Sequence, residues 1–495
     1  MTESLLSIDV GTSSLKAVLY DTAGNVLAKE SAGYSYSSPR PGWAEQDPRD
    51  WWDACRQTCR KLTASVSANI RAVSVSGQAP SCVPVDRQGE PVRPAILWLD
   101  RRADPQAKRL NREFADLIHR SSAMNTFDGY FGGIKWLWFR ENEPDLYGRT
   151  WKILQANGFL IYHLTGQTVM DPGHAGICSP CLDESRLEWS PEICGLLGLS
   201  PDVLPEIHPA GEVIGKVTAR AAQATGLAAG TPVVCGAPDF LCSFLGSGAL
   251  QPNTASIMLG TAGNLMIPAP GRVDDRMLNT FYMDGRVIST GGVLAGGAVS
   301  WFSRLVKMYT PALLVELEEE AAAAPAGSGG VIFLPYLMGE RSPIWDADAR
   351  GVFLGLSSGS GRGCLYRAVL EGVAFAFRQL MDIMESNDAR IGQVMVINGG
   401  SVSPLWRQIL ADVLEVPLHY RPQKDGTSLG AAFLAGKGIE LFHEWDEIQS
   451  WLVPPITSLP DGENMPVYNR AYPVFAGLYS QLKGTFQNLR DLREV

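Results

Sequence analysis

Positive charge is in short supply in this chain. Lys and Arg number 42 against 52 Asp and Glu, a formal net charge of −10 over 495 residues. That deficit argues against a nucleic-acid surface, which needs Lys and Arg to displace counterions from phosphates. The local pairs Arg101-Arg102 and Lys108-Arg109 are accordingly read as the solvated face of a helix. Long apolar runs are missing too. None reaches the roughly 20 residues of a membrane span, and no basic segment precedes an apolar stretch near Met1. A cytoplasmic protein with no membrane partner is expected. Cysteine is sparse, nine in number, odd and scattered, which points to reduced thiols rather than a disulfide framework. His174, Cys178, Cys181 and Cys194 have metal-ligand chemistry, but a lone Cys-x-x-Cys with irregular flanks is a poor zinc signal; burial as small apolar groups is the better reading. Two phosphate-binding signatures are also absent. No Gly-x-Gly-x-x-Gly follows a strand, and "GAAFLAGKG" has neither P-loop spacing nor a hydroxyl after Lys437, so it reads as a helix end.

What is present starts with "SLLSIDVGTSSLKAVLYDTAGN". Two apolar runs flank Asp9-Val10-Gly11-Thr12-Ser13-Ser14, and Asp21 to Asn25 reads as the next turn, so the segment is a β-hairpin with a small, hydrogen-bonding tip. Successive N–H groups around Gly11, with the Thr12 and Ser13 hydroxyls, can cradle an anion. Asp9 beside them is costly unless a cation such as Mg²⁺ lies between. An ordinary turn is the competing reading of this stretch alone.

The chain is too long for one compact core, so two large domains are expected. Leu5 to Tyr36 reads as a three-stranded meander. A helix from Pro48 to Val66 follows, with Trp51, Trp52, Cys55 and Cys59 on one stripe. Next come the strand "IRAVSVSGQAP", a hairpin over "CVPVDRQGEPVRPAILWLD", an amphipathic helix from Asp104 to His119, and mostly helical sequence up to "LQANGFLIYHLTG". "ASIMLGTAGNLMI" then repeats the pattern of "LSIDVGTSSLKAV", with Gly260-Thr261 answering Gly11-Thr12 249 residues on. A repeat at about half-length implies two domains of one fold, each opening with a hairpin loop. Two such loops can hold a triphosphate from both sides. A third phosphate candidate is Asn398-Gly399-Gly400-Ser401, between a buried strand and an amphipathic helix, where close backbone approach and the helix N-terminus favour an anion.

At this point the residues resemble the FGGY carbohydrate kinases of the actin, sugar kinase and Hsp70 superfamily, over nearly the whole chain. The motifs are "IDVGTSSLK", "SGQ" at Ser76 to Gln78, "KWLWFREN" at Lys135, "LGTAG", "LPYLMGERSPIWDADARGVFLGL" at Leu334, "RAVLEGVAFAF" at Arg367, "NGGS" and "GTSLGAAFLA". Three positions depart from the pattern. Gly132 stands where Pro, Ser or Thr is usual, Cys364 where a polar residue is usual, and Phe240 where Asn or Gly commonly follows Asp239.

The resemblance implies an α/β fold of two ribonuclease H-like, actin-like ATPase domains with a catalytic cleft between them. Residues 1–243 would bind sugar and carry the base and first phosphate loop; residues 244–495 would bind nucleotide. It implies transfer of phosphate from ATP to a sugar hydroxyl. Gly11, Thr12, Ser13, Gly260, Thr261, Gly399, Gly400 and Ser401 would donate to phosphates, and Lys16 would offset charge near the γ-phosphate. Asp9 would hold Mg²⁺ through water. Asp239 would accept the hydroxyl proton, against the alternative of a helix cap after Pro238. Gln78 would bond the sugar's hydroxyls. Trp98 reads as core or as a contact, and Glu340 with Arg341 as structural. D-xylulose kinases show Met-His after this glutamine, whereas Ala79-Pro80-Ser81 follow here; "GERSPIW", with Trp345, looks closer to gluconate kinases. Length and overall pattern lean to a pentulose, D-xylulose first, with gluconate or another polyol as the alternative. A non-catalytic ATP-binding or sugar-sensing protein is the rival class, disfavoured because Asp9, Asp239 and Gln78 are all present. A homodimer is admitted but not required.

Overall fold

A computed structural model describes residues 1–114, 127–269, 271, 273–274, 276–307, 310–422 and 425–492. The chain divides into two compact units. The first holds Met1–Leu250 together with 279–288 and 425–452; the second holds 251–278, 289–424 and 453–495.

In the first unit, Thr2–Val10 is the middle of a six-stranded sheet. On one side it pairs antiparallel with Ser14–Asp21, which pairs antiparallel with Val26–Gly33; on the other it runs parallel to Ala68–Gly77. Pro232–Val234 extends the parallel part, and Val213–Lys216 closes that edge antiparallel. Leu5, Leu6, Ser7 and Ile8 are all fully buried, as expected of a strand covered on both faces. One cover is the helix Pro48–Ser65, started by the Asp47 carboxylate accepting from the Arg49 N–H and by Pro48 in the first turn. Its buried stripe is Trp51, Cys55, Cys59 and Leu62. Trp52 falls off that stripe, half-buried, and stacks on His163 with ring centres 5.0 Å apart.

The second unit repeats the plan. Thr254–Leu259 pairs antiparallel with Ala262–Ala269 and parallel with Gln393–Ile397, which is followed in parallel by Leu418–Tyr420. Leu418–Tyr420 pairs antiparallel in turn with Ile456–Ser458, which ends the sheet on that side. The half-length repeat is therefore a repeat of topology: a hairpin first, parallel strands after.

The hairpin expected after Cys82 is present, the helix after it is described in part, and the reading of one arginine pair needs correction. "CVPVDRQGEPVRPAILWLD" folds back on itself as a hairpin, through antiparallel bridges at Cys82–Ile96 and Val85–Pro91, and its strand Val83–Val85 also pairs with Lys152–Leu154. A short strand buried on all sides pairs with whichever neighbour packing supplies. The helix from Asp104 is described to Glu113; residues 115–119 lie outside the described residues. Arg101 and Arg102 are not a solvated helix face. Arg102 is fully buried against the carboxylates of Asp100 and Glu45, its guanidinium 3.6 Å from the centre of the Trp43 ring. Arg101 is half-buried and forks onto Asp128 at 2.5 and 2.9 Å. Both guanidinium groups are matched by carboxylates, which makes such burial tolerable.

Candidate active site

The first hairpin turns at Gly11, whose N–H donates to the Ser14 carbonyl at 3.0 Å. Its tip is fixed from behind. The Tyr34 hydroxyl donates to the Gly11 carbonyl at 2.7 Å, and the Gln46 amide donates to the Thr12 carbonyl at 3.0 Å. Trp98 donates its indole N–H to the Thr12 hydroxyl at 3.0 Å, and that hydroxyl donates to Gln78 Oε1 at 3.2 Å. Trp98 is half-buried rather than core. Gln78 is only 1% exposed and its amide nitrogen is engaged by Gln46 Oε1 at 3.2 Å. Gln78, expected to bond a sugar's hydroxyls, has both ends of its amide engaged at the hairpin tip. The neighbouring turn is tied in by Tyr130, whose hydroxyl donates to the Ala79 carbonyl at 3.2 Å. Lys135, fully buried, shapes that turn by donating to the Gly129 and Tyr130 carbonyls at 2.6 Å each.

Asp9 ends the central strand opposite this network. Its carboxylate accepts from the Ser76 hydroxyl at 2.8 Å. Burial pushes its pKa up, against the Ser76 bond and the nearby Lys16 charge. Asp239 is the first residue of the helix Asp239–Ser247, so the cap position belongs to Pro238, and its Oδ1 accepts from the Phe240 N–H at 2.7 Å. Burial, and then the Asp9 charge, raise its pKa to about 7, with the Phe240 bond pulling weakly the other way. A carboxyl poised near neutrality is suited to taking and returning a proton. Gly236, three residues earlier, allows the approach: a Cβ there would lie 1.7 Å from the Val75 carbonyl oxygen. The helix then packs tightly on Gly426–Gly438, where a Cβ on Gly430 would meet the Cys242 carbonyl at 2.1 Å.

Lys16 has a partner that sequence reasoning missed. Its ammonium lies 2.8 Å from Asp425 Oδ1, and Lys29 lies 2.5 Å from Oδ2 of the same carboxylate. Burial raises the Asp425 pKa, but the two lysines more than offset it and hold it below the usual range.

In the second unit, the tip Gly260-Thr261 is backed by the N–H groups of Gly296 and Gly297, which donate to its two carbonyls at 2.8 and 2.9 Å. A Cβ on Gly260 would lie 3.6 Å from the Asn398 amide nitrogen, and one on Gly400 would be 2.9 Å from Leu259 Cβ. The hairpin and the Asn398–Ser401 turn are thus brought side by side. Asn398 adopts φ 72° and ψ −174°, a conformation that only glycine takes without strain. Strain held at a glycine-rich strand-to-helix turn is a mark of function. Ser401 is buried and donates its hydroxyl to the Asn398 carbonyl at 2.5 Å.

His174 and Cys178, weighed as zinc ligands, are engaged otherwise: His174 Nδ1 meets Asp171, and Cys178 Sγ accepts from Gln155 at 3.0 Å. Among the described residues no group of three or more His, Cys, Asp or Glu is arranged to hold a metal, and no helix is long and apolar enough to cross a membrane. Burial raises the Glu340 pKa to about 8, and its carboxylate caps the Arg341 N–H at 2.9 Å.

Two units of one topology, each opening on a glycine-hydroxyl hairpin, define the two-domain actin-like ATPase fold. Residues 4–246 match the N-terminal domain, and residues 255–439 the C-terminal domain, of the FGGY family of carbohydrate kinases; the chain belongs to that family. It is a phosphotransferase with a carbohydrate alcohol as acceptor. Among curated relatives, the xylulose kinase of Escherichia coli K12 is 31% identical, covering 96% of this chain and 99% of its own length. The crystal structure of xylulose kinase from Rhodospirillum rubrum is 30% identical with a TM-score of 0.91, over 98% of this chain and 100% of that one. That of gluconate kinase from Lactobacillus acidophilus is 27% identical with a TM-score of 0.93, over 99% and 100%.

Proposed function

We propose that this kinase transfers the γ-phosphoryl group of ATP to a hydroxyl of a pentulose, D-xylulose first, with Asp239 as general base. The observation that carries the reading is the position of Asp239 at the head of its helix, its Oδ1 on the Phe240 N–H, where burial and then the Asp9 charge push its pKa up to about 7. An incoming sugar hydroxyl beside it loses its proton as the bond to phosphorus forms. Gly11, Thr12 and Ser13 offer donors to the phosphates, with Lys16 offsetting charge near the γ-phosphate. Gly260, Thr261, Gly399, Gly400 and Ser401 are assigned to the nucleotide. Residues 1–243 carry the sugar site, the base and the first phosphate loop, and 244–495 the nucleotide function. The Asp9 carboxyl, whose charge is disfavoured by burial, fits a divalent cation and would hold Mg²⁺ through water. When bound, Mg²⁺ neutralises charge on the transferring phosphoryl group.

Gluconate is the second reading, favoured by the structural likeness to a gluconate kinase. D-xylulose stays first on the full-length likeness to xylulose kinases. The test is ADP release, coupled to a dehydrogenase, across pentuloses, pentitols, hexuloses, glycerol and gluconate. A preference of tenfold or more in kcat/KM for D-xylulose is expected. Gluconate or a polyol leading the panel would overturn the assignment, and no turnover with any would overturn catalysis.

A further inference from the structure

Resting on the assignment of Lys16 to the phosphates, we propose that Asp425 and Lys29 form a parking site for Lys16, releasing it when nucleotide phosphate arrives. The Lys16 ammonium is not aimed into open solvent. It is 2.8 Å from Asp425 Oδ1, with the lysine side chain 31% and the aspartate 14% exposed. A phosphate that recruits Lys16 must therefore displace a carboxylate.

Such an exchange would ordinarily strand a largely buried anion, which is expensive. Lys29 removes that cost. It holds Oδ2 of the same carboxylate at 2.5 Å and is itself 44% exposed, so Asp425 keeps one cation whichever way Lys16 turns. The geometry is anchored on both sides. Lys16 and Lys29 stand on adjacent antiparallel strands, where Lys16 pairs with Ser31 and Lys29 with Val18. Asp425 precedes the helix Gly426–Gly438 with φ +76°, a left-handed conformation that an aspartate holds only at some cost. The tightly packed glycines of that helix fix the position of its first turn. Asp425 also presses on Asp9 electrostatically, in opposition to Lys16. Release of Lys16 thus changes the field at the proposed Mg²⁺ ligand as well. Asp425 and Lys29 act through Lys16 and are positioning residues.

The arrangement makes two neighbouring substitutions act with opposite sign, which a merely structural role would not do. Without the carboxylate, in Asp425→Asn, Lys16 is free beforehand and triphosphate binds more tightly. Without the second lysine, in Lys29→Met, Asp425 holds Lys16 harder and triphosphate binds more weakly. Pairs of this exposure are worth about 0.5–1 kcal/mol, so each change is about two- to fivefold. Calorimetric titration of the full-length protein with magnesium and a non-hydrolysable ATP analogue reads both, at two salt concentrations. The effects should shrink at high salt, and AMP, which lacks the β- and γ-phosphates, should bind all variants alike. Asp425→Asn on a Lys16→Met background should change nothing further.

If Lys16→Met weakens the analogue but Asp425→Asn leaves it unchanged or weaker, the parking site is wrong while the phosphate role stands. If Lys16→Met has no effect, the phosphate role fails and the parking site with it. Should Asp425→Asn not fold, Lys29→Met decides alone, since Lys29 lies on an exposed strand: unchanged or tighter binding refutes the proposal.

Discussion

Replacing Asp239 with Asn should make the protein harder to melt and nearly inactive, and the two effects have one cause. Burial lifts the carboxyl from its ordinary 3.8 to about 7, so the folded protein binds this proton more tightly than the unfolded chain does. For a group raised in this way, stability is fullest below the unfolded pKa and is lost as pH rises through the folded one. The window runs from about pH 4 to pH 7. Three units at 1.36 kcal/mol each set an upper bound of about 4 kcal/mol above pH 7. Water reaching a half-buried carboxylate reduces this to about 2 kcal/mol. Asn cannot ionise and carries no such cost. At roughly 2–4 °C per kcal/mol, the variant should melt about 4–8 °C higher than the parent at pH 8. At pH 5, where about a third of the cost has accumulated, the gain should be about 2 °C. Turnover on the accepted sugar should fall roughly 10²–10⁴-fold, because the amide holds a hydroxyl but takes no proton. Differential scanning calorimetry across pH and coupled ADP release measure the two. Equal melting temperatures at pH 8 would refute the desolvated carboxyl. More than about a tenth of parental turnover would refute the base.

Other predictions follow from the same geometry. Thr12→Val removes the hydroxyl that joins Trp98 to Gln78, so sugar and ATP affinities should both fall, about three- to tenfold. Thr261→Val should lower ATP affinity alone; calorimetry with each ligand separates the two, and an unchanged sugar affinity in Thr12→Val would sink the link. Asp9→Asn removes the like charge beside Asp239 and should move the acidic limb of the kcat/KM profile below pH 7 in whatever activity survives; an unmoved limb would mean that burial alone sets the pKa. Arg102→Met leaves Asp100 buried without its cation and should cost about 3–5 kcal/mol in denaturant unfolding. Gly430→Ala drives a methyl against the Cys242 carbonyl and should cost about 1–3 kcal/mol; a neutral result would show that the two helices separate freely.

Much of this molecule was determined by its sequence alone. The alternation of apolar residues around Gly11-Thr12 and Gly260-Thr261 dictates two hairpins, because strand and turn preferences act within a few residues. Their spacing gives the duplicated topology, whereas Asp239, which its neighbours in the chain leave open to a capping role, stands out only through the resemblance to the FGGY kinases. Other features were decided only in three dimensions. The partner of Lys16 is Asp425, 409 positions away, and nothing near either residue announces the other. The Thr12 hydroxyl serves Gln78 and Trp98 because the sheet brings Ser76 beside Asp9. Arg102, which reads locally as a surface charge, is buried because Asp100, Glu45 and Trp43 converge on it. Residues 279–288 and 425–452 fold with a unit that is distant from them in sequence. Turn chemistry and periodicity are local and survive in the written chain; desolvation and the choice of counter-ion depend on what packing brings near, and packing is a property of the whole fold.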